Sequence, residues 1–327
     1  MIVSRRRFVK TLLFSGAALA AAPRFFALPP EAETEKSMVV QAVSPRLRRN
    51  DHDIPRAAAR EYLNRSLQAI TGKNDPAAAW GTLFARQETV GIKLSCLPGR
   101  MLSSSPGLVA AIVDCLLAAG LEKKNIIIWE RTSRELENAG YEISRSGLKT
   151  MGSDELSDGG YGSRIAIAGS VGTVFSRIME DIDALISVPV LKDHDLAGVS
   201  IAMKNMYGAI FNPNKFHANR CDPYVADLCS HPLVKGKLRL SVCDASRVQF
   251  HNGPAFFPQY AREFGGLLVS RDPVALDFCG WGVIDSLRRE AGLPSLSEAG
   301  REPAYIRTAS RLGLGRAEES RIQRIHL

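Results

Sequence analysis

Two short runs constrain the fold more than anything else in the chain. Val90-Gly91-Ile92-Lys93-Leu94-Ser95-Cys96 and Asn125-Ile126-Ile127-Ile128-Trp129 are apolar at nearly every position. The second lacks the in/out alternation of a strand with one wet face, and the first, with Lys93 its only charged residue, reads with it as a buried strand. Between them Ser105-Pro106 opens a stretch with Leu108, Ile112, Val113, Leu116 and Leu117 on one face and Gly120 at its end, which reads as an amphipathic helix. Strand, helix and strand in that order form one unit of a parallel sheet, because a parallel neighbour needs a long crossover.

The second half repeats this logic without repeating the sequence. The pattern predicts a short helix at 175–180, a strand at 184–191 and a helix at 198–210. A strand at 237–243 then ends at Asp244, and a short strand follows at 266–270. Asp272-Pro273 starts a long helix to about residue 290, and 305–312 closes with one more. The expected fold is a single α/β domain, an open, mostly parallel sheet with helices on both faces. Residues 29–60 mix Pro, Glu, Arg and Asn without period and predict an extended lead-in. The organisation is then a leader at 1–30, the lead-in and first helices at 31–84, the domain at 85–315 and a tail at 316–327.

The leader is read from Ser4-Arg5-Arg6-Arg7-Phe8-Val9-Lys10 and the apolar run that follows it to Ala22. An arginine pair ahead of a mildly hydrophobic, Ala- and Gly-rich stretch is the pattern of a twin-arginine export leader. That route implies the twin-arginine machinery as a partner and delivers a pre-folded domain to the periplasm or cell surface. The run is about 12 residues long, short of the roughly 20 that span a bilayer. No transmembrane span is expected in the mature protein. The net charge of +8 suggests nucleic acid at first sight, but five basic residues precede the first acidic one. The rest carries an ordinary surface charge, and no nucleic-acid partner is expected.

Six cysteines stand at 96, 115, 221, 229, 243 and 279 without a Cys-x-x-Cys pair. The chain therefore has no local motif for an iron-sulfur cluster, and a divalent metal would have to use other ligands. Cys115 and Cys279 lie in apolar helical runs and read as small buried hydrophobes. Ala168-Gly169-Ser170-Val171-Gly172 has Ala at the first position of a nucleophile elbow, and no phosphate-binding glycine motif is present.

Ligands of such sheets bind beyond the carboxyl ends of the strands. Five ends can be read: Cys96-Leu97-Pro98-Gly99, Glu130-Arg131, Lys192-Asp193-His194-Asp195, Asp244-Ala245-Ser246 and Arg271-Asp272. The third opens a polar block of residues 188–227. As an anion site, Lys192, Lys204, Lys215 and Arg220 would hold a carboxylate or phosphate, helped by the amides that start the 198–210 helix. As a metal site, His194, His217 and Asp222 would supply the ligands. A self-paired polar loop is the remaining alternative. For catalysis the candidates are His194, whose ordinary pKa lies nearest neutrality, then Lys204 and Lys192. Further ligand-binding candidates are Lys93, Asn205, Asp244, Asp272 and Asp277.

The block Val188-Pro189-Val190-Leu191-Lys192-Asp193-His194-Asp195-Leu196-Ala197-Gly198-Val199, continued by Met203-Lys204-Asn205-Met206-Tyr207-Gly208, resembles the bacterial and archaeal proteins grouped as domain-of-unknown-function family 362. Asn212-Pro213-Asn214-Lys215-Phe216-His217, Cys221-Asp222-Pro223-Tyr224 and Arg271-Asp272-Pro273-Val274-Ala275-Leu276-Asp277 fit the same family. The likeness spans roughly residues 85–315 and marks Lys192, His194, Lys204, Asn205, Asp272 and Asp277 as matching positions without assigning roles. It implies a redox association, since some members carry ferredoxin-like cysteine segments, which this chain lacks. The functional expectation is an exported protein that binds a small anionic or metal-bearing ligand at residues 192–222 and could act on it with Lys, His and Asp chemistry. The rival is a non-catalytic accessory or maturation factor for a periplasmic redox, iron-sulfur system.

Overall fold

The computed structural model describes residues 36–327, so the expected leader lies outside the described residues. Within that range the strands are β1 (Ser37–Val43), β2 (Val90–Lys93), β3 (Ile126–Glu130), β4 (Lys149–Gly152), β5 (Ala166–Ala168), β6 (Val171–Thr173), β7 (Ala184–Ser187), β8 (Val190–His194), β9 (Gly198–Ser200), β10 (Leu238–Gln249), β11 (Ala261–Ser270) and β12 (Ile322–His326). The helices are α1 (Arg56–Thr71), α2 (Pro76–Gly81), α3 (Pro106–Ala118), α4 (Ser133–Asn138), α5 (Arg177–Asp181), α6 (Tyr224–Ser230), α7 (Pro232–Lys235), α8 (Pro273–Glu290) and α9 (Ala304–Arg311).

The main sheet runs β12-β1-β11-β10-β7-β2-β3-β4, with β8 beside β10 and β9 beside β8. Pairing is parallel from β10 through β7, β2 and β3 to β4, and also between β10 and β8 and between β1 and β12. It is antiparallel where β11 meets β1 and β10, and where β9 folds back on β8. This is the mostly parallel α/β sheet that the buried runs predict. β3 shows why: its β-branched residues favour extended backbone, and all five of its positions are buried. Ile127 and Trp129 enter one core with Val225 of α6, Leu276 of α8 and Ile306 of α9. Ile126 and Ile128, pointing the other way, join Leu63 of α1, Trp80 of α2 and Ile112 of α3.

Several boundaries differ from the pattern, each for a physical reason. The expected strand at 184–191 is two strands, because Pro189 has no N–H to give a ladder. Ser187 of β7 pairs with Lys93 of β2, whereas Val190 of β8 pairs only with Asp244 of β10. The expected helix at 198–210 is replaced by β9 and a 3₁₀ segment, Lys204–Ala209. Gly198 turns the chain with φ of +78°, and Val199 then pairs with Asp193. The lead-in at 29–60 contributes β1, which is inserted between β11 and β12. The tail likewise ends in β12, and both pairings join residues far apart in sequence. Strands β10 and β11 are longer than the expected 237–243 and 266–270, since each supplies the other's ladder. α8 begins where predicted: the Asp272 carboxylate caps it by accepting from the Val274 and Ala275 amides. Among the described residues no helix is long and apolar enough to cross a membrane.

Candidate functional site

Where β8 leaves the line of β7, the carboxyl ends of β2, β3 and β8 open on a cavity of about 490 Å³. The 204–217 stretch forms its other side. Three lysines reach it from three elements: Lys93 at the end of β2, Lys192 in β8 and Lys204 at the start of the 3₁₀ segment. They are 1%, 2% and 5% exposed, and a buried cation demands compensation.

Lys93 has that compensation. Its Nζ donates to Glu130 Oε1 at 2.5 Å and to Leu94 O at 2.7 Å, and lies 5.4 Å from the Trp129 ring centroid. Glu130 accepts also from the Arg131 amide on Oε1 and the Cys96 amide on Oε2. Lys192 and Lys204 have no carboxylate partner. Lys192 Nζ reaches only Ser95 Oγ, at 3.5 Å. Lys204 Nζ stands 3.0 Å from His217 Nε2 and 3.8 Å from the centroid of the Tyr207 ring. Burial pushes both amines down to about 8; at Lys192 the Glu130 charge works against this and the Lys204 charge works with it.

The two histidines are fixed as tautomers by the backbone. His194 Nδ1 accepts from the Leu196 and Ala197 amides, each at 3.3 Å, so the proton sits on Nε2. Burial, then the Lys204 charge, hold this imidazole down to about 2. The 3.1 Å approach of Asp195 to its Nδ1 is therefore no ion pair, since the ring is neutral. His217 is the mirror case: Nδ1 faces the Pro213 and Asn214 carbonyls and carries the proton, leaving the Nε2 lone pair towards Lys204. Its pKa is lowered too, by burial first and then by Lys204. The two rings lie 5.6 Å apart and nearly parallel.

The backbone around these groups is held from behind. Asp193, wholly buried, accepts from Arg301 at 3.0 Å and from the Gly253 amide, with Arg288 at 3.6 Å. Burial raises its pKa even so. Arg301 also donates to the carbonyls of His194 and Asp195. Asn205 Nδ2 bonds Lys93 O and Ser187 Oγ, tying β2 to β7 at the cavity edge.

The structure thus gathers Lys93, Lys192, His194, Lys204, Asn205 and His217, and separates the other candidates from them. Lys215 donates to Gly172 O across the 3₁₀ segments. Arg220 sits in a left-handed turn outside the cavity. Asp244 forms a buried ion pair with Arg49 at 3.0 Å, Asp272 caps α8, and Asp277 accepts from the Ala202 and Met203 amides. Those two amides are consequently spent on Asp277. Asp222 does not join His194 and His217. Among the described residues no three His, Cys, Asp or Glu side chains are grouped to hold a metal, and all six cysteines are free and buried. The residues present do not fit an iron-sulfur cluster. Glu130, Arg131 and Glu135, which line the cavity, were not among the candidates, although Glu130-Arg131 was visible as a strand end.

The family model described as Domain of unknown function (DUF362) matches residues 90–282, more than half of the chain. Among solved structures the chain is similar to the lactate racemase apoprotein from Thermoanaerobacterium thermosaccharolyticum, at 13% identity and a TM-score of 0.39. That match covers 64% of this chain and 50% of the other, so the chain spans half the length of that protein. No curated protein matches the sequence.

Proposed function

The chain belongs to the DUF362 family, and from that membership and the cavity at the ends of its central strands we propose that the protein binds a small anionic ligand, a carboxylate or a phosphate. The observation that carries this is the pair Lys192 and Lys204, both buried and neither matched by a carboxylate. Of the acids that line the cavity, Glu130 holds Lys93, Glu135 holds Arg131 and Asp195 accepts from the Leu196 amide, so an incoming anion supplies the partner that Lys192 and Lys204 lack. His194 Nε2–H and Ser95 add neutral donors at the same cavity. The leader pattern extends the proposal: twin-arginine export places this ligand site outside the cytoplasmic membrane.

Thermal shift and calorimetry with inorganic phosphate, oxalate and a neutral diol of similar size test the binding. The anions are expected to raise the melting temperature and the diol to leave it unchanged, with the anion effect lost in Lys192→Met. Absence of any anion effect on the wild-type chain would sink the proposal.

A further inference from the structure

We infer that the cavity takes an anionic carbonyl compound, such as a keto acid, and captures it as an imine on Lys204 Nζ. This deepens the anion reading and rests on it. The argument starts from how differently two neighbouring lysines are held. Lys93 is gripped as a fixed charge, by a carboxylate and a carbonyl. Lys204 touches neither kind of group: it meets an aromatic face and the lone pair of an imidazole. A lysine placed only to hold charge has no use for a base 3.0 Å away. A lysine that must become a nucleophile does, because the ammonium has to shed a proton before its nitrogen can attack. The tautomer of His217, set by the Pro213 and Asn214 carbonyls, aims that base at Nζ.

The remaining cations have the complementary role. Lys192, with Lys93 beside Glu130, lines the same cavity and can hold the carboxylate of the substrate while its carbonyl carbon lies against Lys204. His194 Nε2–H, on the ring that stacks on His217, is a neutral donor for the carbonyl oxygen. In the first step His217 Nε2 accepts one proton from the Lys204 ammonium. The free Nζ pair then adds to the carbonyl carbon, the C=O π pair moves to oxygen, and that oxygen takes one proton from the now positively charged adduct nitrogen to give the neutral carbinolamine. The C–O bond next breaks as the hydroxyl leaves with the proton returned from His217, and the nitrogen pair forms C=N. Of the three ammonium protons one stays on the iminium nitrogen and two depart in water. Nothing is oxidised or reduced. Burial of Lys204, which lowers its pKa to about 8, makes the proton loss easier.

Purified full-length chain is incubated with pyruvate, reduced with borohydride, digested and mapped by mass spectrometry. The expected result is a reduced pyruvyl adduct on Lys204 in at least tenfold excess over any other lysine, suppressed by added oxalate and absent from Lys204→Arg. His217→Gln is expected to slow trapping at least tenfold, with the deficit shrinking as pH rises and Lys204 deprotonates unaided. An adduct missing from Lys204, or spread evenly over surface lysines, overturns the inference, and the wild-type map decides this even if a variant fails to fold. Stabilisation by inorganic phosphate without an adduct leaves the anion reading standing and removes only the imine. Loss of both removes both.

Discussion

Glu130 accepts its hydrogen bonds from Lys93 and two amides, so Lys192 feels its charge only from beyond contact distance and Lys204 has no carboxylate beside it. The consequence appears in the pH dependence of stability. An unfolded lysine keeps its proton to about pH 10.5, whereas these two folded amines release theirs near pH 8. Between those limits the unfolded chain binds more protons, so this contribution to stability rises with pH and is flat below 8. A tenfold difference in proton affinity corresponds to about 1.4 kcal/mol, so each lysine costs on the order of 3 kcal/mol at neutral pH. Lys192→Met is accordingly expected to be more stable than wild type at pH 7 by up to about 3 kcal/mol in urea unfolding, the two converging towards pH 10.5. The difference between the proteins is the proper readout, because buried thiols such as Cys115, pushed up to about 12, act in the opposite direction above pH 9. A wild type more stable than the variant throughout would show that the charge is compensated after all. Much of this site was legible: Lys192, His194 and Lys204 stand out as polar residues after a buried run. Lys215 and Arg220 misled because closeness along the chain is not closeness in space, and Lys215 ends on the β6 side at Gly172 O.

At the scale of elements, the segment carrying Lys204 is placed by a helix more than seventy positions away in sequence. Asp277 of α8 takes the Ala202 and Met203 amides at 2.7 and 3.2 Å, stopping β9 and starting the 3₁₀ segment. The sequence could not reveal this, because an isolated reading of 198–210 sees helical spacing and no partner carboxylate. Asp277→Ala would leave two buried amides unpaired, a cost of about 2–6 kcal/mol at roughly 1–3 for each. The expected outcome is a lower urea midpoint together with loss of phosphate binding, because the turn that aims Lys204 loosens. Asp277→Asn, which retains one acceptor oxygen, should lie between. An Ala variant with full phosphate affinity would mean that the segment is held by its own packing.

Over the whole molecule, the two-sided burial of β2 and β3 announced the sheet, while β1 and β12 stayed hidden because their pairings span nearly the entire chain. The lysines of the cavity come from β2, β8 and the 3₁₀ segment, so the binding geometry exists only after the sheet has closed. Such a protein suits a route that carries folded cargo. In cells expressing the full chain, replacement of Arg5 and Arg6 by Lys is expected to move the protein from the periplasmic to the cytoplasmic fraction. Unchanged fractionation would refute the leader reading.

The break at Pro189 has a consequence for how such a protein can diversify. Because the chain leaves β7 there, the floor of the cavity is fixed by strands, whereas its roof is a detour of 3₁₀ turns. The roof can be lengthened, shortened or exchanged without disturbing a single rung of the β7 ladder. The two strand-borne cations, Lys93 and Lys192, can thus be kept while the insert that carries Lys204 and His217 changes, so that one part of the charge recognition belongs to the scaffold and the rest, with the size, to the insert.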